Sequence, residues 1–507
     1  MPGKQNRLVT ILAWLVVSAC FGAEPETWNI GTERQLFIDR TLIDKTSGQA
    51  ALRLAHPERK EIALVFDAPW EGNGSGYQTV FKEGQLYRMY YKAWQITAQG
   101  GVSNPVVICY AESDDGVNWV KPDLGLVSFQ GSTKNNIILD KIGTGGCHDF
   151  SPFIDTNPNV SAQEKYKAIG HVLGVKADPG LYGFVSADGI HWRPIQDDFI
   201  INEKGWAFDT QNIAFWSDVE KQYVMYYRLT VNEVRHIARA VSPDFLHWRK
   251  EGLIDFKGKG PDKTEQFYTN QIKPYYRAPQ LYIGFPARYC DRGWIHATEA
   301  LPSLDLRRAR AQGQTRYGSA VTDALLISSR DGSHFDRWDD AFIRPGLRTR
   351  HNWAYGDNYI AWQVVETMPT GDDQPPELSL YATESYFTGN SNRLRRYTLR
   401  LDGFVSLSAP HAGGEMVTRP FIFSGKKLHI NFSTSAAGSI FIELQDAAGR
   451  PLPGFTMAEC HEIFGDNLEY AVAWKTDADL GALQGKPIRM RVVLREADLY
   501  SFKFSAE

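Results

Sequence analysis

The sequence predicts an all-β fold, a five-bladed β-propeller followed by a C-terminal β-sandwich. Three observations lead to this prediction. A short turn motif occurs four times between residues 113 and 335, strand-like segments surround each copy, and no long segment shows helical periodicity. After about residue 417 the pattern changes to short strands that alternate with turn clusters, which marks a second domain.

Residues 1–23 are predicted to be an export signal. Lys4 and Arg7 supply positive charge, and the apolar segment from Leu8 to Val17 is too short to span a bilayer. Residues 17–20 also resemble a bacterial lipobox, which would make Cys20 the lipidated first residue of the mature chain. We therefore expect an exported protein that is periplasmic, secreted or lipid-anchored at the bacterial surface, with no other membrane attachment.

The turn motif has the pattern Ser-x-Asp-Gly-x-x-aromatic. Asp-Gly suits a tight turn, because glycine accepts a positive φ and the aspartate side chain caps backbone amides. The aromatic residue then anchors the next strand between neighbouring sheets. The copies Ser113–Trp119, Ser186–Trp192 and Ser329–Phe335 match this pattern, and Ser242–Trp248 repeats it with Phe245 in the glycine position.

Each copy of the motif belongs to a unit of four strand-like segments. Four-stranded antiparallel units that recur about every 55 to 90 residues are typical of propeller blades. A fifth unit without the motif extends from about Gly356 to Leu407. The early strand from Leu36 to Ile43 is predicted to close the ring by joining this last blade, so that the propeller covers residues 30–415.

The predicted sandwich covers residues 418–507. Segments such as Leu428–Phe432, Ser439–Leu444 and Ile488–Leu494 have the composition of short strands between turns. No constellation of chemical groups stands out in this region, so a stabilising role and a sugar-binding role both remain open.

Composition narrows the class of function. The formal net charge of −4 provides no electrostatic footprint for nucleic acid, and an aromatic content of 13% can supply surfaces that stack on sugars. Besides Cys20 there are four scattered cysteines, and without CxxC spacing they indicate neither a disulfide framework nor a metal-binding cluster. They are Cys109, Cys147, Cys290 and Cys460. No cofactor and no metal ligand is predicted, although a structural calcium ion in the channel is left open.

Acidic residues open the inner strand of four of the five predicted blades. They are Asp149, Asp209, Glu265 and Asp357. Inner strands line the channel of a propeller, so these carboxylates would converge, and their repulsion would raise some pKa values and leave other groups ionised. Glycosidic cleavage needs such a pair, one protonated acid and one carboxylate that acts as base or nucleophile.

The predicted catalytic roles follow from this pairing. Glu265 is the expected general acid, Asp149 the base or nucleophile, and Asp209 the residue that orients the sugar and tunes the pKa of the acid. Eight further residues near the strand starts and blade loops are predicted to bind the substrate. They are Glu71, Tyr77, His148, Gln211, Asn270, Arg288, Trp353 and Asp357.

The repeated Asp-Gly hairpins, the segment His148–Asp155 and the strand Lys165–Ala168 resemble the five-bladed propeller glycosidases, the superfamily of glycoside hydrolase families 32, 43, 68 and 130. The resemblance covers residues 30 to 410 approximately and concerns the fold and short motifs. It implies a glycosidase with a carbohydrate substrate. It also implies three acidic residues on successive blades in the order Asp, Asp, Glu, which is the order of the three predicted catalytic residues.

The chain departs from those families in its first blade, where the families usually have the first catalytic Asp. This chain has Tyr77 and Gln78 there. Either the catalytic set is shifted by one blade, or Glu71, Asp39 or Asp357 takes a role.

Other functions remain open at this point. A sialidase-like enzyme would use an arginine triad such as Arg228, Arg288 and Arg350, and a glycoside phosphorylase would use phosphate in place of water. A non-catalytic surface glycan-binding protein would keep the aromatic funnel without the acid pair.

A long insertion, residues 291–318, bears on substrate charge. It contains Arg307, Arg308, Arg310 and Arg316. They predict either a positively charged rim that favours anionic sugars or a solvated loop.

Overall fold

The computed structural model describes residues 27–97, 101–143, 145–172, 179–369 and 374–506. The predicted export signal, residues 1–23 with Cys20, lies outside them. Over the described residues the all-β prediction is confirmed, and the α-helices are confined to one insertion. No helix in this part of the chain is both long enough and apolar enough to cross a membrane.

Five N-terminal strands serve two different sheets. The first four pair within a sheet that also contains the C-terminal strands, whereas the fifth pairs with a strand at residues 393–400. They are β1 (Trp28–Gly31), β2 (Gln35–Leu36), β3 (Ile43–Gly48), β4 (Ala51–Leu54) and β5 (Glu58–Val65).

Three antiparallel sheets follow, with neighbouring strands consecutive in the chain except for one pairing in the second sheet. Sheet I contains β6 (Gly76–Glu83), β7 (Leu86–Ala93), β8 (Val107–Ser113) and β9 (Ile137–Leu139). Sheet II contains β10 (Cys147–Ile154), β11 (Tyr166–Val172), β12 (Gly180–Ser186), β13 (Arg193–Pro194) and β14 (Ile201–Asn202). In sheet II, β14 pairs with β12. Sheet III contains β15 (Ile213–Ser217), β16 (Gln222–Val231), β17 (Val234–Ser242) and β18 (Arg249–Leu253).

Sheet IV carries an extension and the helical insertion. The strands and helices of this region are β19 (Gln266–Phe267), β20 (Lys273–Tyr275), β21 (Ala278–Gly284), β22 (Ala287–Asp291), α1 (His296–Glu299), α2 (Leu304–Ala311), α3 (Arg316–Ser319), β23 (Ala320–Ala324), β24 (Ile327–Ser329) and β25 (Asp336–Arg337). Sheet IV itself has the order β20-β21-β24-β25, and β19-β22-β23 form a separate three-stranded extension.

Sheet V is completed by the N-terminal strand β5. Its other strands are β26 (Val365–Thr367), β27 (Glu377–Glu384) and β28 (Arg393–Arg400). The prediction that Leu36 to Ile43 would close the ring is wrong. Leu36 pairs with Ser501 in the C-terminal sheet, and its buried side chain packs in an apolar cluster with Leu54 and residues of sheet IV.

The four predicted Asp-Gly turns are present. In the second copy, Asp188 Oδ1 accepts hydrogen bonds from the backbone N–H groups of Ile190 and His191, each at 2.8 Å, and Gly189 has a φ of +78°. The other three copies repeat these two hydrogen bonds. Phe245 replaces glycine in the third copy and still adopts a φ of +70°.

These turns join neighbouring sheets into a ring. Tyr90 of sheet I donates to the carbonyl of Gly189 in sheet II at 2.9 Å. Tyr226 of sheet III and Tyr381 of sheet V make the same bond to the turns of sheets IV and I. Between sheets II and III the contact is a ring pair, Phe153 against Phe245. Tyr275 of sheet IV donates to Asp402, directly after sheet V, at 2.9 Å.

The remaining strands form an accessory sheet of ten strands with β1–β4. They are β29 (Val405–Ala409), β30 (Gly414–Thr418), β31 (Phe421–Phe423), β32 (Lys427–Asp446), β33 (Asp466–Ala471) and β34 (Ile488–Ser505). One apolar core lies within this sheet. The accessory domain therefore includes residues 28–54 and begins again at residue 405, in contrast to the predicted limits of 30–415 and 418–507.

Asp402 links the accessory sheet to the ring. Its carboxylate, fully buried, lies 3.2 Å from the Arg34 guanidinium and accepts hydrogen bonds from Arg277 at 2.8 Å and Ser501 at 2.7 Å. Arg34 precedes β2, Arg277 belongs to the turn between β20 and β21, and Ser501 belongs to β34, so one side chain joins three parts of the chain.

Candidate active site

The axis of the ring is closed by buried amide side chains. Gln271 donates to Gln211 Oε1 at 2.8 Å, and Gln211 donates to the Gln78 carbonyl at 3.2 Å. Gln211 thus holds sheets I, III and IV together. Asn270 is also buried, and its side chain bonds to the backbone of Tyr226. Gln211 and Asn270, which were predicted to bind the substrate, thus form hydrogen bonds within the protein.

His148 joins the two predicted catalytic aspartates. Its Nδ1 lies 3.1 Å from Asp149 Oδ1, and its Nε2 lies 3.1 Å from Asp209 Oδ1. The Asp149 side chain is fully buried, whereas that of Asp209 is 36% exposed. The two carboxylates therefore lie on opposite sides of one imidazole, and only Asp209 is open to solvent.

Cationic side chains surround this Asp–His–Asp group. Arg228 forms an ion pair with Asp209 at 2.9 Å, and its guanidinium lies 4.5 Å from the ring centre of Tyr268. The ammonium of Lys92 lies 4.1 Å from the ring centre of Tyr77. We refer to His148, Asp149, His171, Asp209 and Arg228 as the central site.

The electrostatics of the site follow from burial and these contacts. Burial of Asp209 opposes ionisation, but Arg228 and His148 outweigh it and hold the pKa of Asp209 well below its usual range. Burial lowers the pKa of Lys92 to about 8. For Tyr268, burial favours the neutral phenol, but Arg228 outweighs it and the pKa of Tyr268 falls to about 7.

An aromatic cluster adjoins the central site. Its buried members include six tyrosines, and Trp94 and Tyr317 form its half-buried edge. The six are Tyr77, Tyr268, Tyr289, Tyr355, Tyr359 and Tyr386. Tyr77 connects the cluster to the site, because its ring centroid lies 5.8 Å from that of His148.

The insertion is neither a solvated loop nor wholly a charged rim. Arg307 and Arg310 are buried, the first bonded to backbone carbonyls and the second lying over Phe387. Arg308 is exposed. Arg316 faces the aromatic cluster and donates to the Tyr355 hydroxyl at 3.1 Å. Of these four arginines, Arg310 and Arg316 therefore contact rings of the aromatic cluster.

Glu265 has different partners from the two aspartates. It lies 3.4 Å from Arg288 and also pairs with Arg337, and Arg288 binds Asp323 at 2.7 Å. No hydrogen bond or ion pair among the described residues joins Glu265 to the central site. Side chains alternate between the two faces of β22, so Tyr289 contacts Tyr268 of the aromatic cluster while the adjacent Arg288 projects from the opposite face. Glu265, the partner of Arg288, therefore lies on that opposite face.

Four more residues considered from the sequence make local contacts. Glu71 accepts from Tyr91 and pairs with Lys121, both at 2.6 Å. Asp357 binds the backbone N–H groups of Ala354 and Tyr386. Asp39 pairs with Arg330 at 2.9 Å. Trp353 donates to the Gly346 carbonyl and lies beside the pocket lined by Arg288 and Asp323.

Lys92, His171 and Arg228 were not predicted as members of one site. They occupy related positions, near the ends of the second strands of sheets I, II and III. Lys92 lies opposite Gly76, and His171 opposite Asp149, in the strand pairing. Alignment of the second strands of the repeats, rather than of the first strands alone, would have identified a basic residue at each of these positions.

No family model and no curated protein matches the chain. It is similar to solved structures that include a thermostable family-43 glycoside hydrolase (13% identity, 68% of this chain and 96% of that chain, TM-score 0.41). Another is a family-32 β-fructofuranosidase from Bombyx mori (10% identity, 90% and 95%, TM-score 0.39). A third is an N-acetylgalactosamine deacetylase from F. plautii in complex with blood group B trisaccharide (11% identity, 68% and 94%, TM-score 0.41).

Families 43 and 32 are among those that the sequence motifs resemble.

Proposed function

We propose that the protein is a glycoside hydrolase that acts on an anionic glycan at the central site. The observation that carries the proposal is Asp209. It is a solvent-accessible carboxylate, held in place by Arg228 and His148, beside an aromatic cluster. A carboxylate fixed next to aromatic rings suits a sugar substrate, because rings can cover an apolar sugar face while the carboxylate acts at the glycosidic bond.

Asp209 and Tyr268 take the reactive roles in this proposal. Asp209 remains a carboxylate through its ion pair and acts as base or nucleophile. Tyr268 is the proton donor: its ring centre lies 4.5 Å from the guanidinium of Arg228, the ion-pair partner of Asp209, and Arg228 lowers the pKa of its phenol towards neutrality. Asp149 has no solvent exposure and orients His148. These roles replace those expected from the sequence, in which Glu265 was the acid.

The preference for an anionic sugar rests on two arginines. Arg235 lies over the rings of Tyr268 and Tyr289, with its guanidinium 5.2 and 5.0 Å from their centres, and Arg316 lies over Tyr355. Both are half-buried, and neither has a carboxylate partner among the described residues. Guanidinium groups without such partners can bind a uronate carboxylate or a sulfate bidentately.

A non-catalytic glycan-binding protein is the second candidate. The placement of Glu265 favours it, because the three acidic residues expected from the sequence do not assemble in one site. Such a protein would bind sugars at the same aromatic and arginine side chains without cleaving them.

The test uses purified protein with a panel of neutral, uronate-containing, sialylated and sulfated oligosaccharides, with products measured by chromatography and mass spectrometry. We expect cleavage of an anionic substrate, and a loss of about 10²–10⁴-fold for Asp209→Asn, because the reacting carboxylate is removed. Glu265→Gln is the matched control and should retain activity within about tenfold of the wild type.

Two results would overturn the proposal. Loss of activity in Glu265→Gln with retention in Asp209→Asn would place the reaction at the other acidic group. Binding of the same glycans by wild type and Asp209→Asn, with no product from either, would establish the binding protein instead.

A further inference from the structure

His171 is a buried histidine without a hydrogen-bond partner. It lies on β11 with 4% exposure, and both of its ring nitrogens are buried without a partner among the described residues. A buried polar side chain normally has a partner, because an unpaired one loses its bonds to water without compensation. The imidazole of His171 is therefore available to a ligand that the protein itself does not provide.

Asp149 is a buried carboxylate without a lysine or arginine partner among the described residues. Its carboxylate is fully buried, and its ion-pair partners within 4 Å are the two imidazoles of His148 and His171, at 3.1 and 4.0 Å, with no lysine or arginine among the described residues. Buried carboxylates are normally paired with a cation or bound to a metal. The 4.0 Å separation from His171 Nδ1 is too long for a hydrogen bond.

The three side chains converge on one point. A donor atom of each of His148, Asp149 and His171 lies within 4.8 Å of the donors of the other two. Around an ion with bonds of about 2.0–2.2 Å, ligand atoms lie roughly 3–4 Å apart, so small side-chain rotations bring all three into range. The two imidazole rings are not stacked, because their planes are 78° apart and their centroids 5.3 Å apart.

We propose that His148, Asp149 and His171 bind a divalent transition-metal ion such as zinc, manganese or cobalt. Two imidazoles and one carboxylate suit these metals, whereas calcium requires mostly oxygen ligands. The calcium ion considered from the sequence would therefore not occupy this set of donors. Nδ1 of His148 is the ligand atom, because it is the nitrogen that faces Asp149.

Neighbouring residues orient these ligands. His148 Nε2 lies 3.1 Å from Asp209, which gives the carboxylate–histidine–metal arrangement that fixes the orientation of a metal-binding imidazole. Asn212 donates to the second oxygen of Asp149 at 3.4 Å, which leaves Oδ1 for the metal. Arg228 is neutralised by Asp209, so its charge does not oppose a cation at Asp149.

The test measures metal binding directly, so it does not depend on the proposed glycosidase activity. The full chain is dialysed against a chelator, then against Zn²⁺, Mn²⁺, Co²⁺ or Ca²⁺, and bound metal is quantified by mass spectrometry. We expect about one equivalent of at least one transition metal, and visible absorption bands of Co²⁺ with nitrogen ligands. We expect no retained Ca²⁺ at this site.

His171→Gln should weaken metal binding at least tenfold and abolish the Co²⁺ bands, since it removes a ligand. His191→Gln is the control, because His191 is exposed in an Asp-Gly turn and already pairs with Asp188. If His171→Gln fails to fold, Asp149→Asn tests the same prediction. Substoichiometric retention of all three transition metals by the wild type, or equal binding by His171→Gln and wild type, would overturn the proposal.

Discussion

Replacement of Asp402 by asparagine should weaken the connection between the accessory sheet and the ring. The substitution keeps the shape of the side chain and removes its charge. Arg34, 5% exposed, and Arg277, 19% exposed, would then lack their buried carboxylate partner. Removal of one member of a buried ion pair costs about 3–5 kcal/mol, a large share of the roughly 5–15 kcal/mol that stabilises a typical domain.

Urea unfolding followed by circular dichroism measures this loss. If m is about 3 kcal/mol/M, the midpoint of Asp402→Asn should fall by about 1–1.7 M at pH 7. Asp466→Asn is a matched control at the same junction, because Asp466 also pairs with an arginine but is 64% exposed. An exposed pair contributes at most about 1 kcal/mol, so the control midpoint should fall by no more than about 0.3 M.

The pH dependence of the Asp402→Asn effect supplies a second check. Burial of Asp402 opposes its ionisation, but Arg34 and Arg277 outweigh it, so its pKa in the folded protein is lowered. Its contribution is therefore complete above the unfolded pKa of about 3.9 and is lost as the pH falls through the folded pKa. The difference between wild type and variant should narrow below about pH 4. Equal midpoints for the two variants, or a difference as large at pH 3 as at pH 7, would refute this reasoning.

Two further predictions concern the ring. Gly356→Ala should lower the free energy of unfolding, measured in urea, by several kcal/mol more than Gly389→Ala. Both glycines have a positive φ, but only at Gly356 would a Cβ lie 2.0 Å from the Tyr386 ring. Equal losses of stability would contradict the proposed clash. Asp331→Ala should lower the free energy of unfolding by about 1 kcal/mol, because two turn hydrogen bonds are lost. Asp340 is exposed nearby, and Asp340→Ala should lower the free energy of unfolding by less than about 0.5 kcal/mol. The reverse order would show that other contacts hold the turn.

Local features of the ring were predictable from sequence, and long-range pairing was not. The four turns were recognised because aspartate and glycine act within a few residues. The partner of β5 is more than 300 residues away, and nothing in its composition distinguishes β28 from other strands. The same limit applies to Leu36, whose strand was expected to join the last blade and instead pairs with β34 of the accessory sheet.

In the candidate site, too, some residues could be predicted from the sequence and others could not. Asp149 and Asp209 could be placed together because each opens an inner strand of the repeat. Glu265 occupies a comparable position in the sequence, but β19 pairs with β22 in the extension and not with β21, so its side chain meets Arg288 and Arg337. His171 could not be recognised from the sequence, because its importance lies in partners that are absent and only three-dimensional packing reveals them.

The pairing of β5 with β28 sets a limit on when this protein can fold during synthesis. Residues 27–65, the described part of the N-terminal segment, contain no partner for β5 or for β1–β4, since these strands pair with segments that begin at residue 393. They leave the ribosome long before their partners are made, so the ring cannot close and the accessory sheet cannot form until the segments from residue 393 onward have been synthesised. Closure of both parts is therefore a late event, and a chain stopped before residue 393 leaves five strands with unpaired edges that are exposed to aggregation.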